Sequence, residues 1–151
     1  MISNVKINDQ ELLRYSLSKI ENRENIKVEE VFDEGDYICF GQYLQDQPYW
    51  IVTLYDFTTQ GDCLLDITLN IKGLLSVDTF HRIAKIVGEY AFNQADRTRV
   101  STQVRASNKN SIRITKAFGF QVEGLVRKGY NLPIIEDKIL FGMLKEECPW
   151  I

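Results

Sequence analysis

Residues Val100–Leu125 read VSTQVRASNKNSIRITKAFGFQVEGL. Val100, Thr102, Val104 and Ala106 alternate with polar neighbours, which is the two-residue period of a strand. Ser107 or Asn108 then stands where a short side-chain oxygen can satisfy the free N–H groups of a helix's first turn. Ile112, Ile114, Ala117 and Phe118 give that helix an apolar side, and Gly119 stops it, because the position after a helix often takes a left-handed backbone. Phe120 opens a second strand, Phe120–Tyr130. The unit is strand, short helix, strand.

Upstream, Ser76 caps the longest predicted helix, Val77–Gln94, in which Val77, Phe80, Ile83, Ala84, Val87 and Ala91 recur at helical spacing. Gly88 inside it suits close packing against a sheet. Before the helix come a loop, Ile71–Leu75, and a strand, Cys63–Asn70. That strand puts Leu65, Ile67 and Leu69 on one face and Leu64, Asp66, Thr68 and Asn70 on the other. Tyr49–Phe57 is another strand, entered by a turn at Asp46-Gln47-Pro48 and left by one at Thr58–Asp62. Val28–Leu44 reads as one long strand or a hairpin turning at Asp33–Asp36. A short strand, Ile2–Ile7, and a helix from Asn8 to about Glu21 begin the chain, with Asn8 and Glu11 as a capping box. Downstream, Asn131–Ile135 turns into a last strand, Asp137–Lys145, and an apolar CPWI tail follows. The order β-α-βββ-α-β-α-ββ predicts an α/β domain of the α+β kind. Its sheet is mixed and mostly antiparallel, with helices packed on it and one parallel pair at the fourth and fifth strands.

The 151 residues, 44% apolar and 26% charged, fit one ordinary globular domain, 1–151, with a real core. Net charge is −3 with no basic stripe, which argues against nucleic acid. Cys39, Cys63 and Cys148 are far apart and form no CxxC; with a single His81 they make no zinc set, and unpaired thiols suit a reducing cytoplasm. No signal peptide or apolar run of membrane length is seen.

The element order, with Asn108-x-x-Ser111 leading into Gly119-Phe120-x-x-Glu123-Gly124, resembles the GNAT acyltransferase superfamily, in particular its ribosomal-protein-alanine acetyltransferase-like branch. Ile112, Arg113 and Arg127, the Tyr90-Ala91-Phe92 helix end and the closing DKILFGMLKEE add to the likeness, which spans about Phe80–Lys145. Before Phe80 it rests on element order.

The resemblance implies helices on both faces of the sheet and acetyl transfer from acetyl-CoA to an amine of a protein or small molecule, by direct attack on the thioester. It places the thioester in a gap between the fourth and fifth strands and the pyrophosphate on the loop before the long helix. The loop residues aligned with the family's Gln/Arg-x-x-Gly-x-Gly/Ala are Asn70-Ile71-Lys72-Gly73-Leu74-Leu75. Gly73 matches; Asn70 and Leu75 depart, and a leucine there opposes close backbone approach to a phosphate. The motif is degenerate, with Lys72 and Ser76 as partial compensation. Many members carry a proton-donating tyrosine where this chain has Thr115.

Asp66 is the best candidate general base, and its plainer reading is a solvated strand residue. Glu123, matching the family's Glu-Gly, is the second catalytic candidate, or a support for the sheet or acceptor side. Asn70, Lys72, Gly73, Ser76, Asn108 and Arg113 are the candidate acetyl-CoA contacts, with Asn108 also a plain cap and Arg113 also a plain surface residue. Tyr49 and Trp50 either line an acceptor groove or join the core, and Trp150 makes the tail a candidate contact for a second copy or an assembly partner. The departures at Leu75 and Thr115 motivate an alternative: an inactive GNAT-fold structural or binding subunit of a larger assembly, viral or otherwise.

Overall fold

The computed structural model describes residues 2–6, 37–44, 47–69 and 76–151. The expected first helix, the turn at Asp33–Asp36 and the loop residues Asn70, Lys72, Gly73 and Leu75 lie outside the described residues. Among the described residues seven strands form one sheet: β1 (Ile2–Lys6), β2 (Tyr37–Leu44), β3 (Gln47–Tyr55), β4 (Leu64–Leu69), β5 (Arg99–Arg105), β6 (Gln121–Tyr130) and β7 (Glu136–Leu144). The α-helices among the described residues are α1 (Val77–Gly88) and α2 (Lys109–Phe118). The spatial order is β1-β2-β3-β4-β5-β7-β6, and β4–β5 is parallel while the other neighbours are antiparallel.

Local chemistry explains the boundaries. Asn108 caps α2, its side chain accepting from Ser111 N at 3.1 Å, and Gly119 ends it at φ +111°. Ser76 caps α1, accepting from Thr79 N at 3.2 Å. The long helix departs from expectation at its end: from Glu89 to Gln94 the backbone winds as a π-helix, with Ala95 N donating to Tyr90 O at 2.8 Å. Val77 and Ala117, expected on apolar faces, are exposed; each lies off the side of its helix that faces the sheet. The turn expected at Asp46-Gln47-Pro48 is also corrected: Gln47 and Pro48 are already in β3. Pro48 is tolerated because the β2–β3 register shifts between Gln42 and Tyr43, a bulge where its missing N–H costs least.

One face of the sheet carries the main core: Trp50, Val52, Leu54, Leu65, Val100 and Phe141 pack against Ile83, Val87 and Phe92 from α1 and the π turn, and against Phe118 from α2. Trp50, 0% exposed, is therefore core and not groove lining. The reverse face is covered too, since Ile51, Thr53 and Tyr55 are 2%, 0% and 3% exposed. The tail docks on its own chain. The Trp150 indole N–H donates to Phe118 O at 2.7 Å, and its ring stands edge-on to Phe80 and tilts over His81. The close neighbour of Gly88 is that tail, at Cys148 and Ile151, and not the sheet. Trp150 is thus spent internally, and Pro149 and Ile151, the latter 47% exposed, are the residues the tail still shows.

Candidate active site

β4 and β5 meet at one register pair, Leu64 opposite Ser101, with Ser101 N donating to Cys63 O at 2.9 Å. In a regular parallel ladder such bonds repeat every two residues, so the next would run from Gln103 N to Leu65 O. That carbonyl instead accepts the Thr102 hydroxyl at 2.9 Å. A side chain has taken the acceptor that would continue the ladder, and the strands part from there. Their near ends are well anchored. Thr98 N donates to Gly61 O at 2.9 Å, Arg97 Nη1 to Thr58 O at 2.6 Å, and Ser101 Oγ to Asp62 Oδ2 at 3.0 Å.

The parting opens a cleft of about 260 Å³, lined among others by Asp66, Gln103, Arg105, Asn108, Thr115 and Tyr130. Asp66 is 1% exposed and its Oδ2 accepts from Thr68 Oγ1 at 3.3 Å, so the solvated-strand reading is excluded; the reverse face that carries it is covered. Asn108 keeps its cap while bordering the cleft. Thr115 stands in the cleft wall but donates its hydroxyl to Ser111 O at 2.7 Å, within its own helix.

The other candidates lie elsewhere. Glu123 is at the β6 edge, outside the cleft, ion-paired to Arg99, which also approaches Asp62 at 3.6 Å. This pairing spans β7, between β5 and β6, and passes over Gly142; a Cβ there would collide with both the Glu123 carboxylate and the Arg99 guanidinium. The hydrogen bond to Glu123 raises the Arg99 pKa above its ordinary value. Arg113 is exposed on α2 and donates to Asn110 Oδ1 at 2.6 Å. Ser76 is exposed at the α1 terminus, its hydroxyl donated to Thr79 Oγ1 at 2.8 Å.

Three residues of the cleft lining, Arg105, Tyr130 and Gln103, are not among the site residues the sequence points to. Arg105 stacks over the Tyr130 ring at 4.2 Å, donates to Leu132 O, and pairs with Glu136 at 3.3 Å. Glu136 in turn accepts from Ser107 Oγ at 2.7 Å and Ser107 N at 3.1 Å, and these bonds hold its carboxyl below the usual range. Lys138 Nζ lies 4.9 Å from the same ring. Tyr130 and Gln103 read as ordinary strand residues, because only the β5–β7–β6 register brings them to the gap. Among the described residues no three of His, Cys, Asp and Glu gather as a metal set, and no helix is long and apolar enough to cross a membrane.

No protein-family model and no curated protein sequence matches the chain. Solved structures do. A spermidine N-acetyltransferase from Vibrio cholerae, in complex with CoA and spermine, superposes with a TM-score of 0.70 at 13% identity, covering 97% of this chain and 96% of that one. An acetyltransferase of the GNAT family from Streptococcus pneumoniae gives 0.70 at 13% identity over 95% and 99%. A third solved chain with an acetyltransferase name gives 0.66 at 21% identity; 80% of this chain is covered, and it spans 65% of that protein's length. The fold is the GNAT fold.

Proposed function

We propose that the chain is an acetyl-CoA-dependent N-acetyltransferase acting on an amine, with a small molecule as the first acceptor class to test. The observation that carries this is the single β4–β5 pairing and the cleft beyond it, into which Asp66 is built. The strand edges facing that cleft have left the ladder, which suits them to bond the amide-bearing arm of CoA. Asn108 at the cleft rim and Ser76 at the α1 terminus are the described residues that would hold the cosubstrate, with Arg113 within reach as a phosphate contact. Asn70, Lys72 and Gly73 complete the proposed set. Bound acetyl-CoA supplies an activated acyl carbonyl. Asp66 accepts one proton from the incoming ammonium and frees its lone pair. The nitrogen bonds to the carbonyl carbon, the C–S bond breaks, and the second proton lost by nitrogen goes to the departing thiolate. Backbone N–H groups of β4 favour the charge on the carbonyl oxygen. Glu123, bridged to Arg99, is assigned to bracing the sheet.

The spermine held by the Vibrio cholerae structure supports a small-molecule amine as acceptor. The buried free thiols of Cys63 and Cys148 support the cytoplasm. A second reading, a GNAT-fold binding subunit or homo-oligomer without transfer, is favoured by the apolar β6 edge and hairpin, where Val122, Leu125, Leu132, Ile134 and Ile135 are all more than half exposed.

Calorimetric titration with acetyl-CoA separates the two. Binding stabilises the fold by roughly 2.7 kcal/mol at a hundredfold excess over Kd. Asp66→Asn then lowers kcat by about 10²- to 10⁴-fold with acetyl-CoA affinity unchanged. No binding at millimolar acetyl-CoA supports the second reading, and an Asp66→Asn enzyme with full kcat removes Asp66 from the chemistry.

A further inference from the structure

We propose that Gln103 is the second of two oxygen acceptors that grip the substrate's ammonium group, facing Asp66 across the parting of β4 and β5. This rests on the acetyl-transfer reading of the same cleft. Leu64 stands opposite Ser101, and same-face positions advance by two along each strand. Asp66 and Gln103 are therefore the next pair, one on each lip, on one face of the sheet. The Thr102–Leu65 bond fixes the step between them. Thr102 and Val104 stand opposite Phe141 and Ile139, on the core side; Gln103, opposite Leu140, points to the reverse face and lines the cleft.

The Gln103 Oε1 atom is buried and accepts no hydrogen bond among the described residues. Three of the side-chain donors that line the cleft are engaged elsewhere. The Thr102 hydroxyl goes to Leu65 O, the Thr115 hydroxyl to Ser111 O, and the Arg105 guanidinium to Glu136 and Leu132 O. A buried carbonyl without a donor destabilises the free protein, so its retention points to a donor that arrives with a ligand. A carboxylate and an amide oxygen on opposite lips match a group with positive charge and several N–H donors. A primary ammonium has three. One N–H gives its proton to Asp66; another stays bonded to Gln103, which holds the freed lone pair toward the acyl carbon.

The test titrates spermine into the full chain by calorimetry, for the wild type, Gln103→Leu and Gln103→Glu, alongside thermal melts. Leucine removes the unsatisfied acceptor at similar volume. Gln103→Leu is expected to melt no lower than the wild type and to bind spermine at least tenfold more weakly, about 1.4 kcal/mol. Gln103→Glu binds spermine at least as tightly as the wild type, and acetyl-CoA affinity is unchanged in both. Fully N-methylated, quaternary spermine keeps the charge without the donors. The wild type discriminates against it by at least about tenfold, and Gln103→Leu does not. A Gln103→Leu chain that melts several degrees lower, or that binds spermine like the wild type, overturns the proposal, as does a wild type that ignores spermine. Spermine discrimination without any acetyl-CoA binding would instead overturn the transfer reading and leave the grip standing.

Discussion

Burial, helped by the negative charge of Asp62, pushes the Cys63 thiol up to about 12 even though Arg97 pulls the other way. The unfolded thiol titrates near the ordinary value of 9.0. The folded pKa is the higher one, so this thiol's contribution to stability is complete below pH 9 and is lost as pH rises toward 12. At pH 10 the loss is about 1.4 kcal/mol. Urea midpoints measured at pH 8 and pH 10 should therefore fall further in the wild type than in Cys63→Ala, and native Cys63 should resist alkylation at pH 8. Asp66 shows how far residue-level reading goes. Alternation put it on the face opposite Leu65, and the structure has Leu65 in the core beside α1 and α2 with Asp66 on the other side. That reading could not say that this face is covered, because burial is a tertiary property that alternation along one strand does not report, and so it left a 1% exposed carboxylate open as a solvated one.

Among the elements, the strand–helix–strand unit was readable because each of its signals is local: alternation in β5, the Asn108 cap, the Gly119 stop. What parts β4 from β5 is not local. The Thr102 hydroxyl meets Leu65 O only once the parallel register exists, and no window of sequence contains both. Thr102→Val keeps the shape and removes the hydroxyl, leaving a buried carbonyl without its donor at a cost of roughly 1–3 kcal/mol. Thermal melts should show that loss, and hydrogen exchange should show whether Gln103 N closes onto Leu65 O in compensation. Protection of the Gln103 amide in the variant but not the wild type is the expected result. Glu123 illustrates the converse. Its Glu-Gly motif was visible and left open a catalytic or a supporting role, but its partner Arg99 sits two strands away over Gly142, a pairing that only the β5–β7–β6 order brings about.

At the scale of the whole molecule, the chain divides at the turn that follows the π segment. Residues before it supply β1–β4 and α1; those after it supply β5–β7, α2 and the tail. Backbone bonding between the two sets is concentrated at the Gly61–Thr98 turn and Ser101. Side chains add to it, with Arg97 on Thr58 O, Ser101 and Arg99 on Asp62 and Thr102 on Leu65 O, and an apolar contact includes Phe80 against Phe118 and Trp150. Because so few ladder bonds cross that seam, the sheet is built as two separately hydrogen-bonded plates. A chain severed in Ala95–Thr98 should therefore reassemble in trans. Co-expressed pieces 1–95 and 96–151 should co-elute as a one-to-one complex, driven by hydrophobic association, and Phe118→Asp in the second piece should abolish it. Were the seam a continuous ladder, severing it would leave two open edges that pair promiscuously; a crossing confined to one end of the strands makes the join largely a matter of fit between surfaces.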